Sequence, residues 1–352
     1  MGAESWLVSG GMPVANIDTS DVLLKQLPPL RASDSTFTSL VDEHGVVVSE
    51  TYLKERQRQL LGIATQANPQ IVLIESWPFG RRKLRHELIA LMQQLQEQTR
   101  CPIIVCSIRD ILQRGRKAKR LEETVQHVNR WFDHVLVHAD PEFVELNYSF
   151  ELASEIESKL VYTGFVVRPD MVTRRWAPSA GSSVLVSAGG GAVGLALYEC
   201  AIESARLAPD EFHWHLLIGR GVSEDVKDRL QQSAPHCVKV EWARADFPQL
   251  LQRCAVSVSQ SGYNTTMDLL GVGCPAVVVP FDSDGETEQR DRAERLQALG
   301  IARMIEASTL NPRTLLASVR ERSDKVPSRW RANFDGADTT AKWLLDAVKS
   351  RA

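Results

Sequence analysis

Cysteine is sparse and unpatterned. The six cysteines among 352 residues, at positions 101, 106, 200, 237, 254 and 274, form no C-x-x-C and no Cys/His set at zinc spacing. That excludes a zinc module or a disulfide framework and leaves reduced, mostly buried thiols of a cytosolic chain. No apolar run approaches the roughly 20 residues of a membrane-spanning helix, and the first residues lack the layout of a signal peptide. The expectation is a cytoplasmic protein, with peripheral contact to the inner membrane left open. Net positive charge is missing too: at −3 the chain is unlike a general nucleic-acid binder. There is no internal repeat, no low-complexity tract, no Walker phosphate loop and no strict G-x-G-x-x-G. What is present is an ordinary globular composition, 43% hydrophobic and 24% charged, in a length that suits two cores.

The most informative stretch runs from Ala255 to Ala293. Ala255–Val258 and Ala276–Val279 have the length and branching of strands buried on both faces. Between them Gln260-Ser261-Gly262 opens a helical spacing, Tyr263 to Leu270, closed by Gly271-Val272-Gly273 and Pro275. This βαβ unit predicts a parallel sheet. The open N–H groups and dipole of the helix start would welcome an anion. Ser261, Thr265 and Asp268, at i, i+4 and i+7, are expected on one face, with Asp268 about 10 Å beyond the start. One ligand with a phosphate at the helix start and a sugar diol at the carboxylate would fit that spacing. Upstream, strand Ser183–Ser187, the turn holding Gly189, Gly190 and Gly191, and helix Leu195–Arg206 form a second phosphate- or close-approach loop. Strand His213–Ile218 ends in Gly219-Arg220-Gly221, and Cys237–Glu241 leads into Trp242-Ala243.

Ahead of this lies a similar alternation: helix Thr51–Ala67, strand Ile71–Ile74, helix 81–98, strand Ile103–Cys106, helix Ala118–Trp131, strand His134–Val137. The pattern is a doubly wound α/β half. Trp6–Ser9 reads as an interior strand and Arg31–Ser49 as a loop. Glu75, Trp77, Arg109, Asp110 and His138 fall at carboxyl ends of strands, where ligands of such sheets sit. Each also has a plain structural reading; Arg109 and Asp110 could be a solvated pair. Basic clusters at 81–85 and 114–120 are solvated faces, or attract an anionic acceptor or lipid surface. The acids Asp282, Asp284, Glu286 and Glu288 match no calcium loop and suit a helix's first turn. No metal and no cofactor is expected.

The S-G-x-x-T-x-x-D helix, the G-x-P strand, the V-P-F ending and the following Glu288-Gln289 resemble the donor domain of GT-B glycosyltransferases, above all glycosyltransferase family 28, which includes the peptidoglycan N-acetylglucosaminyltransferases. The likeness covers roughly residues 160–310, and the whole chain resembles a set of bacterial glycosyltransferases of this type. It implies two Rossmann-like doubly wound domains facing a cleft: an acceptor-side domain over 1–165, a donor domain over 166–325, and a last helix, 326–352, crossing back. It implies that Asp268 binds the ribose hydroxyls of UDP, that Arg168, in a T-G-x-x-x-R stretch, lies near the donor phosphates, and that Glu288 and Gln289 contact the donor sugar. Trp242 and Ala243 would face the uracil. Gly189–Gly191, Arg220 and the helix start at Ser261, Gly262, Asn264 and Thr265 would complete the site. The family's first strand and its Gly/His loop, source of the acceptor-side base, have no counterpart ahead of Trp6, so the start of the domain is expected to be missing. Glu75, Asp110 and His138 then stand as substitute base candidates. The implied activity is metal-independent transfer from a UDP-sugar to an unidentified acceptor, a small molecule, glycan or lipid-linked, with no nucleic-acid partner. Its rivals are a nucleotide-sugar hydrolase or epimerase and a non-catalytic nucleotide-sugar-binding protein.

Overall fold

The computed structural model describes residues 3–13, 18–33, 39–115, 117–168, 175–178, 182–188, 194–282, 285–325 and 330–351. The chain divides into two compact units, one of residues 1–107, 126–135 and 344–352, the other of 108–125 and 136–343.

In the first unit β1 (Trp6–Ser9) pairs in parallel with β2 (Leu23–Gln26). The reading of Trp6–Ser9 as an interior strand is corrected here. Among the described residues this sheet has only two strands, and a two-stranded ribbon leaves its outer edges open. Leu7 and Val8, and Leu23 and Leu24, are exposed; successive residues point to opposite faces, so neither face of the ribbon is fully covered. The segment read as a loop holds a short antiparallel pair, β3 (Arg31–Ala32) with β4 (Leu40–Val41); two-residue strands are too short to show a period. Helix α1 (Glu50–Ala67) is capped by the Ser49 hydroxyl, which accepts from Tyr52 N at 3.2 Å. After β5 (Ile71–Glu75) and α2 (Arg85–Gln96), β6 (Ile103–Arg109) runs parallel to β5, with Glu75 opposite Ser107. Arg56, 1% exposed, stitches this unit: it forks onto Glu87 of α2 (2.8 and 3.2 Å) and donates to the carbonyls of Gly10 (2.9 Å) and Pro28 (2.5 Å). Trp77 is core, its ring 5.2 Å from His127 and 5.6 Å from Phe132.

Helix α3 (Ala118–Trp131), β7 (His134–His138) and β8 (Leu160–Tyr162) follow. The second unit is built on β9 (Ser183–Ser187), α4 (Leu195–Leu207), β10 (His213–Ile218), α5 (Glu224–Ser233), β11 (Val238–Trp242), α6 (Phe247–Arg253), β12 (Val256–Ser259), α7 (Tyr263–Val272), β13 (Ala276–Val278), α8 (Glu288–Ala298) and β14 (Ala302–Met304). Among the described residues these strands form one six-stranded parallel sheet, in the order β11-β10-β9-β12-β13-β14. Val186 lies opposite Val258, and Val258 opposite Val277. All three are fully buried, which is why these strands read as unbroken apolar runs. The chain winds outward from β9 to β11 and then returns to β12 on β9's other side. That reversal is the switch point where ligands of open α/β sheets bind, and α7 begins directly beyond it.

Helices α9 (Pro312–Ser323) and α10 (Gly336–Arg351) close the chain. The last helix, expected over 326–352, begins at Gly336. Just before it, Asn333 O accepts from Phe165 N at 2.8 Å, and Gly336 N donates to Phe165 O at 3.2 Å. A Cβ on Gly336 would overlap the backbone of Gly164 and Phe165, and Gly164 has φ +86°. Both positions require glycine. Among the described residues no helix is long and apolar enough to cross a membrane.

Candidate functional site

The start of α7 differs from its reading in one respect. Gly262 is the N-cap and Tyr263 the first helical residue, so the shared face holds for Thr265 and Asp268 but not for Ser261. Ser261 is buried ahead of the helix, its hydroxyl donating to the Gln289 carbonyl at 2.7 Å. A Cβ on Gly262 would meet nothing within 4 Å, so the space beside the first amides is open. Asn264 is exposed there. Five residues beyond Tyr263, Asp268 Oδ1 lies 3.9 Å from Arg168 Nη2, the arginine side chain 59% exposed and the aspartate's 18%. The two side chains singled out for ribose and phosphate therefore share one place.

Glu288 and Gln289 open α8. The Glu286 carboxylate accepts from Gln289 N at 3.2 Å, and Gln289 Oε1 accepts from Phe281 N at 3.2 Å. The carboxyls of Glu286 and Glu288 are pushed up by burial, with the Arg292 cation opposing. Arg292 is 1% exposed: its Nε and Nη2 donate to the two oxygens of Asp110, also fully buried, at 2.9 and 3.0 Å. Its Nη1 donates to the Ser261 carbonyl at 3.0 Å. Two guanidiniums lie over the Tyr263 ring, that of Arg109 at 5.1 Å and that of Arg292 at 5.7 Å, and burial pushes its phenol up to about 12.

The Arg109–Asp110 pair considered from sequence does not form. Successive residues at a strand end point to opposite sides, so Asp110 serves Arg292 and Arg109 lies over Tyr263. Arg292 itself went unnoticed. Its one sequence signal was a run of four charges in Arg290–Glu294, Arg-Asp-Arg-Ala-Glu, more than a single solvated stripe needs.

The other residues are placed as follows. Trp242, half-buried at the end of β11, has Arg220 5.6 Å and Lys227 5.7 Å from its ring. Ala243 N donates to the Ile218 carbonyl at 2.8 Å, so its amide is engaged in the sheet. Gly189, Gly190 and Gly191 lie outside the described residues. His138 Nδ1 is 2.8 Å from Thr163 Oγ1. Glu75 belongs to the first unit, exposed and 2.5 Å from Arg81. Among the described residues no group of three His, Cys, Asp or Glu could hold a metal ion.

A parallel α/β chain of this topology, with its polar groups gathered at the switch point, is GT-B in fold. It superposes on the glycotransferase of kitacinnamycin over 99% of this chain and 88% of that one, with a TM-score of 0.61 at 18% identity. On MurG of Acinetobacter baumannii the shares are 97% and 90%, with a TM-score of 0.59 at 14% identity. More narrowly, residues 184–333 match the glycosyltransferase family 28 C-terminal domain. Over 210 residues the chain is 25% identical to the UDP-N-acetylglucosamine–N-acetylmuramyl-(pentapeptide) pyrophosphoryl-undecaprenol N-acetylglucosamine transferase of Methylococcus capsulatus, covering 56% of this chain and 58% of that protein. The match thus spans little more than half of that relative's length. The C-terminal half of this chain is family-28-like.

Proposed function

We propose that the chain transfers a sugar from a UDP-sugar to an acceptor hydroxyl, using the second unit to bind the donor. The observation that carries this reading is the meeting of three things at the switch point: the open start of α7, the Arg168–Asp268 pair, and the Glu288–Gln289 turn tied to Ser261. Asp268 would accept from the ribose hydroxyls. The α7 amides and Arg168 would offset the charge that develops on the departing diphosphate, the part a divalent metal plays elsewhere. Arg220 beside Trp242 adds a cation near the base end, and Glu288 and Gln289 would face the sugar.

Of the base candidates, Asp110 has both oxygens engaged by a buried guanidinium, and we assign it to structure rather than proton transfer. Glu75 and His138 are then compared by turnover of Glu75→Gln and His138→Gln. The direct test is calorimetry with UDP and UDP-N-acetylglucosamine, followed by UDP release with and without lipid-linked and soluble glycan acceptors. The expected result is donor binding with acceptor-dependent release. UDP-sugar consumption that ignores the acceptor would replace the proposal with a hydrolase or epimerase, and binding without any turnover would leave a nucleotide-sugar-binding protein.

A further inference from the structure

We infer that Arg292 is a positioning residue that ties the two turns of the proposed donor site into one rigid piece, with Asp110 as the counter-ion that fixes its guanidinium. The inference rests on the donor reading above and adds how that site keeps its shape. Three of the guanidinium's donors point in set directions: two to Asp110 and one to the carbonyl of Ser261, the residue just before the α7 cap. The Ser261 hydroxyl continues the chain of bonds to the carbonyl of Gln289, which lies three positions before Arg292 on the same helix. The circuit closes through α8 itself. It sets the distance between the α7 amides, at the phosphate end of the proposed donor, and Glu288–Gln289, at its sugar end.

Apolar contacts could fill this space but are non-directional. A planar fork of donors fixes angles as well as distance, which a lysine cannot reproduce. Asp110 is what makes a buried cation tolerable here, since an unpaired one is strongly disfavoured. The guanidinium also lies over the ring of Tyr263, the first residue of α7, at 5.7 Å. The network therefore acts between the two ends of the site, and a ligand that uses both ends should feel its loss more than one that uses a single end.

The test uses the full chain and two variants. Arg292→Lys keeps the charge and loses the fork; Asp110→Leu combined with Arg292→Met removes both charges at similar volume, a replacement that buried pairs commonly tolerate. In calorimetry each folded variant should lose UDP-N-acetylglucosamine affinity by about tenfold or more, while UDP affinity falls less than about threefold. In the ligand-free chain, amide exchange over residues 261–266 and 288–290 should quicken. Parallel losses for both nucleotides, or unchanged affinity and exchange in a folded variant, would overturn the inference. If the wild-type chain binds neither nucleotide, the donor reading falls by itself, and the exchange of the ligand-free variants alone decides whether Arg292 ties the turns.

Discussion

In the ligand-free chain the Asp268 carboxylate faces the Arg168 guanidinium at 3.9 Å, and a nucleotide in the proposed pose would have to come between them. The contact is long and its arginine mostly exposed, so parting it costs little. Asp268→Ala should weaken UDP binding about 10- to 100-fold, the effect of losing charged hydrogen bonds of about 1.5–3 kcal/mol; unchanged affinity in a folded variant would remove the ribose role. Arg168→Ala has a distinct signature. It should weaken UDP strongly while leaving uridine unchanged or slightly tighter, because uridine has no phosphate and one competitor for Asp268 is gone. Equal losses for both ligands would reduce Arg168 to an organiser of its segment.

At the scale of elements α8 is the unusual one, because its buried face is charged: Asp291 and Arg292 lie inside with Ala293 and Leu296. Arg114 pairs with Asp291 Oδ1, while Oδ2 has no hydrogen-bond partner among the described residues. Burial pushes this carboxyl up, Arg114 opposing. Folded chain therefore holds the proton more tightly than unfolded chain. The resulting stabilisation is present below the ordinary aspartate range and is lost as pH rises through the raised value. Asp291→Asn removes that slope. Its melting temperature relative to wild type should climb between pH 4 and pH 7, and a flat or falling difference would contradict the assignment. The same helix shows how far sequence reasoning reaches. The strands of the six-stranded sheet were legible because doubly buried strands must be apolar, and α7 because Gly262 and Gly273 bracket its spacing. The inner face of α8 was not, since pattern reading sends charges to solvent, and the partner that draws Arg292 inward is 182 positions away. Ser261 was misplaced for a related reason: helical spacing cannot tell a residue before the cap from one after it.

For the whole molecule, the division into units implies a division of labour. Every residue proposed to touch the donor lies in the second unit, whereas the Arg56–Glu87 pair stitches the first. Glu87→Ala leaves a buried guanidinium unpaired and should cost about 3–5 kcal/mol. The expected signature is earlier melting with UDP affinity at low temperature changed less than about threefold; a matching collapse of UDP binding would show that the units do not act separately. The glycine clasp between Gly164–Phe165 and Asn333–Gly336 bears on how that second unit comes into being. One half of the clasp leaves the ribosome some 170 residues ahead of the other, a delay of roughly 10–30 s at ordinary translation rates. During that interval the nascent chain exposes the backbone around Phe165 that residues 333–336 later cover, so the second unit reaches its finished form only once those residues have emerged.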